Sequence, residues 1–291
     1  MCDQHYDEDL NDYLRRTGMT RRRFGALGMA MGLMAVLPRA ANALDVSESG
    51  VEVRTPDGAA DCYFVHPASG AHAGVLIWPD ILGLRPAFRR MARRLAESGY
   101  AVLVVNPYYR RQRAPVIPDG ATYAEQSTRD IVMPLYQSLD ARTHVTDAKA
   151  FVAWLDDQPA VDRKRKVGTM GYCMGGPITM RTAAAVPGRV GAAASFHGGG
   201  LVTDQPDSPH LLVPQMKAHY LIAIAENDDQ REPAAKDVLR EAFAKASLPA
   251  EIEVYAGAMH GWCPPDSPVY DEAQAEKAWG RLLALFERAL A

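Results

Sequence analysis

The sequence predicts an α/β fold with a mostly parallel central sheet and helices on both faces. Two observations carry this. Short apolar runs rich in β-formers alternate with longer stretches of helical periodicity, and runs of that length bounded by turn residues suit strands buried on both faces. A third observation places chemistry on the scaffold, because one apolar run leads directly into a cysteine framed by glycines at the start of a helix. With 291 residues and 48% hydrophobic content, the chain can bury one large core.

The elements follow in order. Val51 to Val65 reads as a β-hairpin, since Val51, Val53, Tyr63 and Val65 alternate with polar residues around a Pro56-Asp57-Gly58 turn. The strand candidates are Gly74–Trp78, Ala101–Val105, Lys166–Met170, Ala192–Phe196, Tyr220–Ala225 and Glu251–Tyr255. Between and after them lie helical stretches at Phe88–Ser98, Thr146–Asp156, Gly175–Ala185, Pro233–Ala246 and Asp271–Leu290. Gly99 suits a helix C-terminus and Asp271 suits an N-cap. Asn106 to Thr143 is the longest irregular stretch, partly helical around Asp130 to Leu139, and it reads equally as a lid over a site or as a surface excursion.

The amino terminus is different in kind. A polar, acidic opening precedes Thr20-Arg21-Arg22-Arg23-Phe24, an apolar run from Gly25 to Leu37, and the small residues Ala41-Asn42-Ala43. That order is the physical plan of an export signal, and the arginine pair followed by phenylalanine fits the twin-arginine type. The apolar run is too short to cross a bilayer, which takes about 18 residues or more. The expectation is therefore a signal over residues 1–43, recognised by the twin-arginine export machinery and cleaved after Ala43. A single domain over 44–291 would then reach the periplasm or another exported location, without stable membrane insertion.

Once residues 1–43 are removed, 30 acidic and 26 basic side chains remain, a net charge of −4. Nothing in that balance favours nucleic acid as a partner. Cys62, Cys173 and Cys263 remain, an odd number, so at least one thiol must stay unpaired; a Cys62 to Cys263 disulfide is left open.

Cys173 has the strongest context. The run Lys166–Met170 enters Gly171-Tyr172-Cys173-Met174-Gly175-Gly176 and then a helix, the G-x-C-x-G form of a nucleophile elbow. Small flanking residues let the backbone turn sharply, and the new helix N-terminus favours a thiolate over a thiol. In the α/β-hydrolase fold an acid and a histidine follow the nucleophile in that chain order, each after a later strand. Glu226-Asn227-Asp228-Asp229 follows Tyr220–Ala225, and Ala258-Met259-His260-Gly261-Trp262 follows Glu251–Tyr255. Asp228, with Asp229 as its rival, and His260 are the expected partners, the carboxylate fixing the tautomer of the imidazole that handles the thiol proton. His197, also at a strand exit, is the rival histidine and is expected to line the pocket in a structural role.

With these residues assembled, the chain resembles the dienelactone hydrolase family from about Val51 to Leu290. The resemblance rests on Gly171 to Gly176, on Trp78-Pro79-Asp80-Ile81-Leu82-Gly83, on Asn106-Pro107-Tyr108-Tyr109 and on Ala258 to Trp262. It implies a cysteine triad acting on a small-molecule ester or lactone through a thioester acyl-enzyme, with no metal or organic cofactor. It also implies that the backbone N–H groups of Ile81 and Met174 hold the oxyanion, and that an acid at the position of Asp80, where the best-known members carry glutamate, touches the resting nucleophile and helps activate it. Tyr108, Tyr109, Arg110, His197 and Trp262 are the expected pocket residues. The arginine that family namesakes carry after the catalytic histidine is replaced here by Trp262-Cys263-Pro264-Pro265. Alternatives are a non-catalytic exported binding protein, a peptidase or an acyltransferase on the same scaffold.

Overall fold

The computed structural model describes residues 6–20, 37–38 and 43–291. Eight strands form one sheet: β1 (Val46–Thr55), β2 (Gly58–Pro67), β3 (Ala73–Trp78), β4 (Tyr100–Val105), β5 (Val167–Tyr172), β6 (Val190–Phe196), β7 (His219–Ala225) and β8 (Ala250–Tyr255). Their spatial order is β1-β2-β4-β3-β5-β6-β7-β8. The first hairpin pairs antiparallel, β2 joins β4 antiparallel, and every later pair is parallel. The expected α/β fold with a mostly parallel sheet is thus the observed one.

The helices are α1 (Tyr6–Thr17), α2 (Pro86–Glu97), α3 (Gln126–Gln137), α4 (Ala141–Asp156), α5 (Gly175–Ala185), α6 (Glu226–Arg231), α7 (Ala235–Lys245) and α8 (Glu272–Ala289). Successive side chains of a strand point to opposite faces, and the sheet is buried on both. Val75, Ile77, Val102 and Val104 face Phe88, Leu95, Leu282 and Phe286 of α2 and α8, whereas Leu76, Trp78, Leu103 and Val105 face Phe151, Leu155 and Ile178 of α4 and α5. This two-sided burial explains why the central strands β3 to β6 read as apolar runs, whereas β1 and β8 at the sheet edges are largely exposed or half-buried.

Element boundaries shift where local chemistry decides them. α4 starts at Ala141, five residues before the expected start, because Asp140 and Thr143 form a capping box with bonds of 2.7 and 2.9 Å. Asp271 caps α8 by accepting the Gln274 amide at 3.1 Å, and Gly99 closes the end of α2 with φ +97°. The long connection carries α3 and packs Val116, Ile117, Val132 and Leu135 on Ile81, Tyr108 and Met174, so it roofs the elbow instead of leaving the surface.

Arg21 to Phe24 and most of the apolar run after them lie outside the described residues. No helix among the described residues is long and apolar enough to cross a membrane. Cys62, Cys173 and Cys263 are all buried, and none of the three is in a disulfide, so Cys62 and Cys263 do not pair.

Candidate active site

The elbow forms where β5 meets α5, and contacts around its glycines show why the sequence must be small there. A Cβ on Gly171 would stand 2.1 Å from the Gly175 carbonyl oxygen, and one on Gly175 would stand 2.4 Å from that of Trp78. A Cβ on Gly176 would meet Ser195 Oγ at 2.5 Å and Gly198 Cα at 2.6 Å. The strand exits of β3, β5 and β6 are therefore in backbone contact. Between these glycines Cys173 adopts φ 53°, in the left-handed region that non-glycine residues rarely occupy. Such strain is retained where surrounding structure imposes it, as at the turn that lifts a nucleophile out of a sheet. The Cys173 amide donates to the Phe196 carbonyl at 3.1 Å, and α5 begins two residues on, directing its positive end at the thiol.

Asp228 lies in α6, one turn after β7, and its Oδ2 is 2.8 Å from His260 Nδ1. Asn227 braces the pair, accepting the His260 backbone N–H on Oδ1 at 2.8 Å. Asp229 instead pairs with Lys236 at 2.6 Å, which leaves Asp228 as the acid facing the histidine. Cys173, Asp228 and His260 all face one cavity of about 550 Å³, together with Asp80, Ile81 and His197.

His197 is buried beside Cys173 with φ 41°, and its amide donates to Ala223 at 2.8 Å. Its ring meets His260 edge-on at 4.9 Å and Trp262 at 5.1 Å, and neither ring nitrogen has a partner among the described residues. Burial, with the neighbouring His260 adding to it, depresses its pKa well below the usual imidazole range. The ring is therefore a neutral wall behind His260.

The loop after β3 is held by a buried charge cluster that sequence reasoning missed. Asp80 accepts from Arg85 at 2.6 and 2.9 Å and from the Leu82 amide at 2.9 Å. Arg85 also donates to Asp266 at 2.7 and 2.9 Å. Desolvation opposes the Arg85 charge, but the two carboxylates outweigh it and raise its pKa. Tyr108 lies beneath, its hydroxyl donating to the Ile81 carbonyl at 2.9 Å and standing 3.1 Å from Met174 Sδ, so one phenol contacts both residues expected to supply the oxyanion N–H groups.

A sequence model of the dienelactone hydrolase family matches residues 60–290. The chain belongs to the dienelactone hydrolase family. It is 29% identical over 244 residues to a carboxymethylenebutenolidase of Rhodococcus opacus, covering 81% of this chain and 90% of that one. It is 25% identical over 236 residues to a carboxymethylenebutenolidase of Pseudomonas putida, covering 80% and 94%. A dienelactone hydrolase structure from Anabaena variabilis superposes with a TM-score of 0.62 at 18% identity, covering 84% of this chain and 99% of that one, a likeness of fold alone.

As a member of the dienelactone hydrolase family, the chain departs from its expected pocket. Of Tyr108, Tyr109, Arg110, His197 and Trp262, His197 alone lines the cavity. Tyr109 is turned away toward Thr55 at 2.7 Å and Asp147 at 2.8 Å. Arg110 is a counter-ion to the buried Asp147, at 2.6 and 2.8 Å, and to Asp57. Trp262 is fully buried and stacked on Tyr255 at 5.3 Å, behind His197. Arg85, Asp266 and Asn227 take places in the wall instead. Asp80 stands five positions from Arg85 but Asp266 stands 181 positions away, so no local pattern marks the cluster. Among the described residues, no group of three or more His, Cys, Asp or Glu side chains is placed to hold a metal ion.

Proposed function

We propose that this dienelactone hydrolase family member cleaves a small, uncharged ester or lactone by acyl transfer through Cys173. The observation that carries the reading is the convergence of a strained, helix-capped cysteine and a 2.8 Å Asp228–His260 pair on one cavity. With Nδ1–H donated to Asp228, the Nε2 atom of His260 is the one available for the thiol proton. Cys173 Sγ attacks the carbonyl carbon, and the Ile81 and Met174 N–H groups stabilise the oxyanion. The tetrahedral adduct collapses to a thioester as His260 returns the proton to the leaving oxygen. His260 then deprotonates a water that attacks the thioester, releasing the carboxylic acid and restoring the thiol.

The charge of the wall supports an uncharged substrate. Leaving α1 aside, the wall holds Asp80, Asp228, Glu232 and Asp266 against Arg85 and Arg231, and Arg85 is spanned by two of those acids, so an incoming carboxylate would meet a wall in which acids outnumber guanidinium groups. Asp80 pairs with the same arginine and accepts the Leu82 amide, so it also fixes the position of the Ile81 loop.

Replacing Cys173 with alanine is expected to abolish turnover of every ester the protein accepts, with an unchanged circular dichroism spectrum. Retained turnover would overturn the mechanism. We further propose that the reaction takes place outside the cytoplasm, after export by the twin-arginine route, on the strength of Arg21-Arg22-Arg23-Phe24 and the small residues ending at Ala43.

A further inference from the structure

The chain's own amino-terminal helix supplies part of the wall of the catalytic cavity, and the contacts that hold it there are made to residues next to the proposed triad. On one face of α1, Leu10 and Leu14 are buried one turn apart and pack with Tyr13, Met19 and Val269. This apolar cluster is separate from those of the main core, so the sheet scaffold does not depend on it. Asp9 accepts from Asn227 Nδ2 at 2.7 Å and pairs with Arg231, engaging α6 on both sides of Asp228. Arg16 donates to Met259 Sδ at 3.0 Å and stands 3.9 Å from Glu226. Met259 precedes His260. Glu8, Asp9, Leu10 and Tyr13 consequently form part of the wall of the cavity that contains Cys173.

We propose that α1 keeps the full-length chain latent by sitting across the mouth of the Cys173 cavity, and that loss of residues 1–43 opens the site. This rests on the reading of that cavity as the active site. The helix lies upstream of Arg21-Arg22-Arg23, so the cleavage after Ala43 expected of an export signal removes signal and cover together. Its attachments suit a removable cover. A 12-residue helix is marginal by itself in water, and its ion pairs are partly exposed. Once the covalent link is cut, the segment gains translational freedom and leaves. Activity would then be coupled to arrival in the exported compartment.

The test uses the full chain with a protease recognition sequence inserted after Ala43, folded whole and then cut, with the released segment removed by gel filtration. The uncut Leu10→Asp/Leu14→Asp chain, which detaches α1 without altering the triad, is measured in parallel. Two rates are read: alkylation of Cys173 by iodoacetamide, located by peptide mass spectrometry, and kcat/KM on a panel of uncharged aryl esters. Cutting, or the double substitution, is expected to raise both at least tenfold. Equal alkylation rates in the intact chain, the cut chain and the double variant would overturn latency. If alkylation rises but no ester is turned over, latency stands and the hydrolase reading falls. If esters are turned over equally in all three, the hydrolase reading stands and latency falls.

Discussion

Arg85 is placed to influence the proposed chemistry without taking part in it. Its guanidinium is out of water and shared by Asp80 and Asp266, while Asp80 fixes the Leu82 amide and with it the turn that presents Ile81. Arg85→Met would leave two carboxylates without their counter-ion. An unfolding free energy lower by about 3–5 kcal/mol at pH 7 is expected in urea titrations, since breaking a buried pair from one side strands the other charge. In the folded fraction kcat should fall more than KM rises, because the oxyanion position is what moves. At this scale the meeting of Cys173, Asp228 and His260 on one cavity was legible, since each follows a strand in a fixed order. The pocket wall was not. Tyr109 and Arg110 follow a strand just as regularly, yet the buried Asp147 of α4 draws both away, and no local pattern marks a carboxylate 38 and 37 positions downstream as their partner.

Among the elements, the β5–α5 junction has the least tolerance. Gly175→Ala must displace either the Trp78 carbonyl or α5 itself, and it should lower kcat/KM about 100-fold or more, as misplacement of a reacting group by roughly 1 Å does. Gly280, on the exposed side of α8 with open space around it, is the control. Gly280→Ala should leave activity unchanged and raise stability by about 0.5–1 kcal/mol, the helix-propensity difference, measured by urea unfolding. Strands and helices were legible because both sheet faces are covered and the periodicities differ. What escaped was set by side chains reaching back to the backbone, as in the Asp140–Thr143 box, or by tertiary docking. Thus α1 has a polar sequence in which Leu10 and Leu14 are the buried positions among the described side chains, and its place becomes apparent only against Val269 and Asn227.

Across the whole molecule, acid should act through buried imidazoles. The ring nitrogens of His144 are out of solvent without a partner among the described residues, and desolvation, reinforced by Arg181, lowers its pKa to about 3. Its native form is neutral. The unfolded ring gains a proton below about pH 6.5, so this contribution to stability is complete above 6.5 and is lost as the pH falls from 6.5 toward 3. At pH 4.5 the loss should reach about 2–3 kcal/mol relative to pH 7. His144→Leu should remove that part of the pH slope in urea unfolding, and identical slopes would contradict it. The long connection, its α3 roof, the Arg85 cluster and α1 together enclose a thiol on a scaffold that otherwise serves only to hold strand ends in place. The most direct test of that account is a quenched single turnover of an activated ester followed by intact-mass and peptide analysis. The account predicts one acyl group, sensitive to hydroxylamine and located on Cys173, that decays at the rate of acid release and is absent from Cys173→Ala. An acyl group on any other residue, or unimpaired turnover by Cys173→Ala, would contradict it.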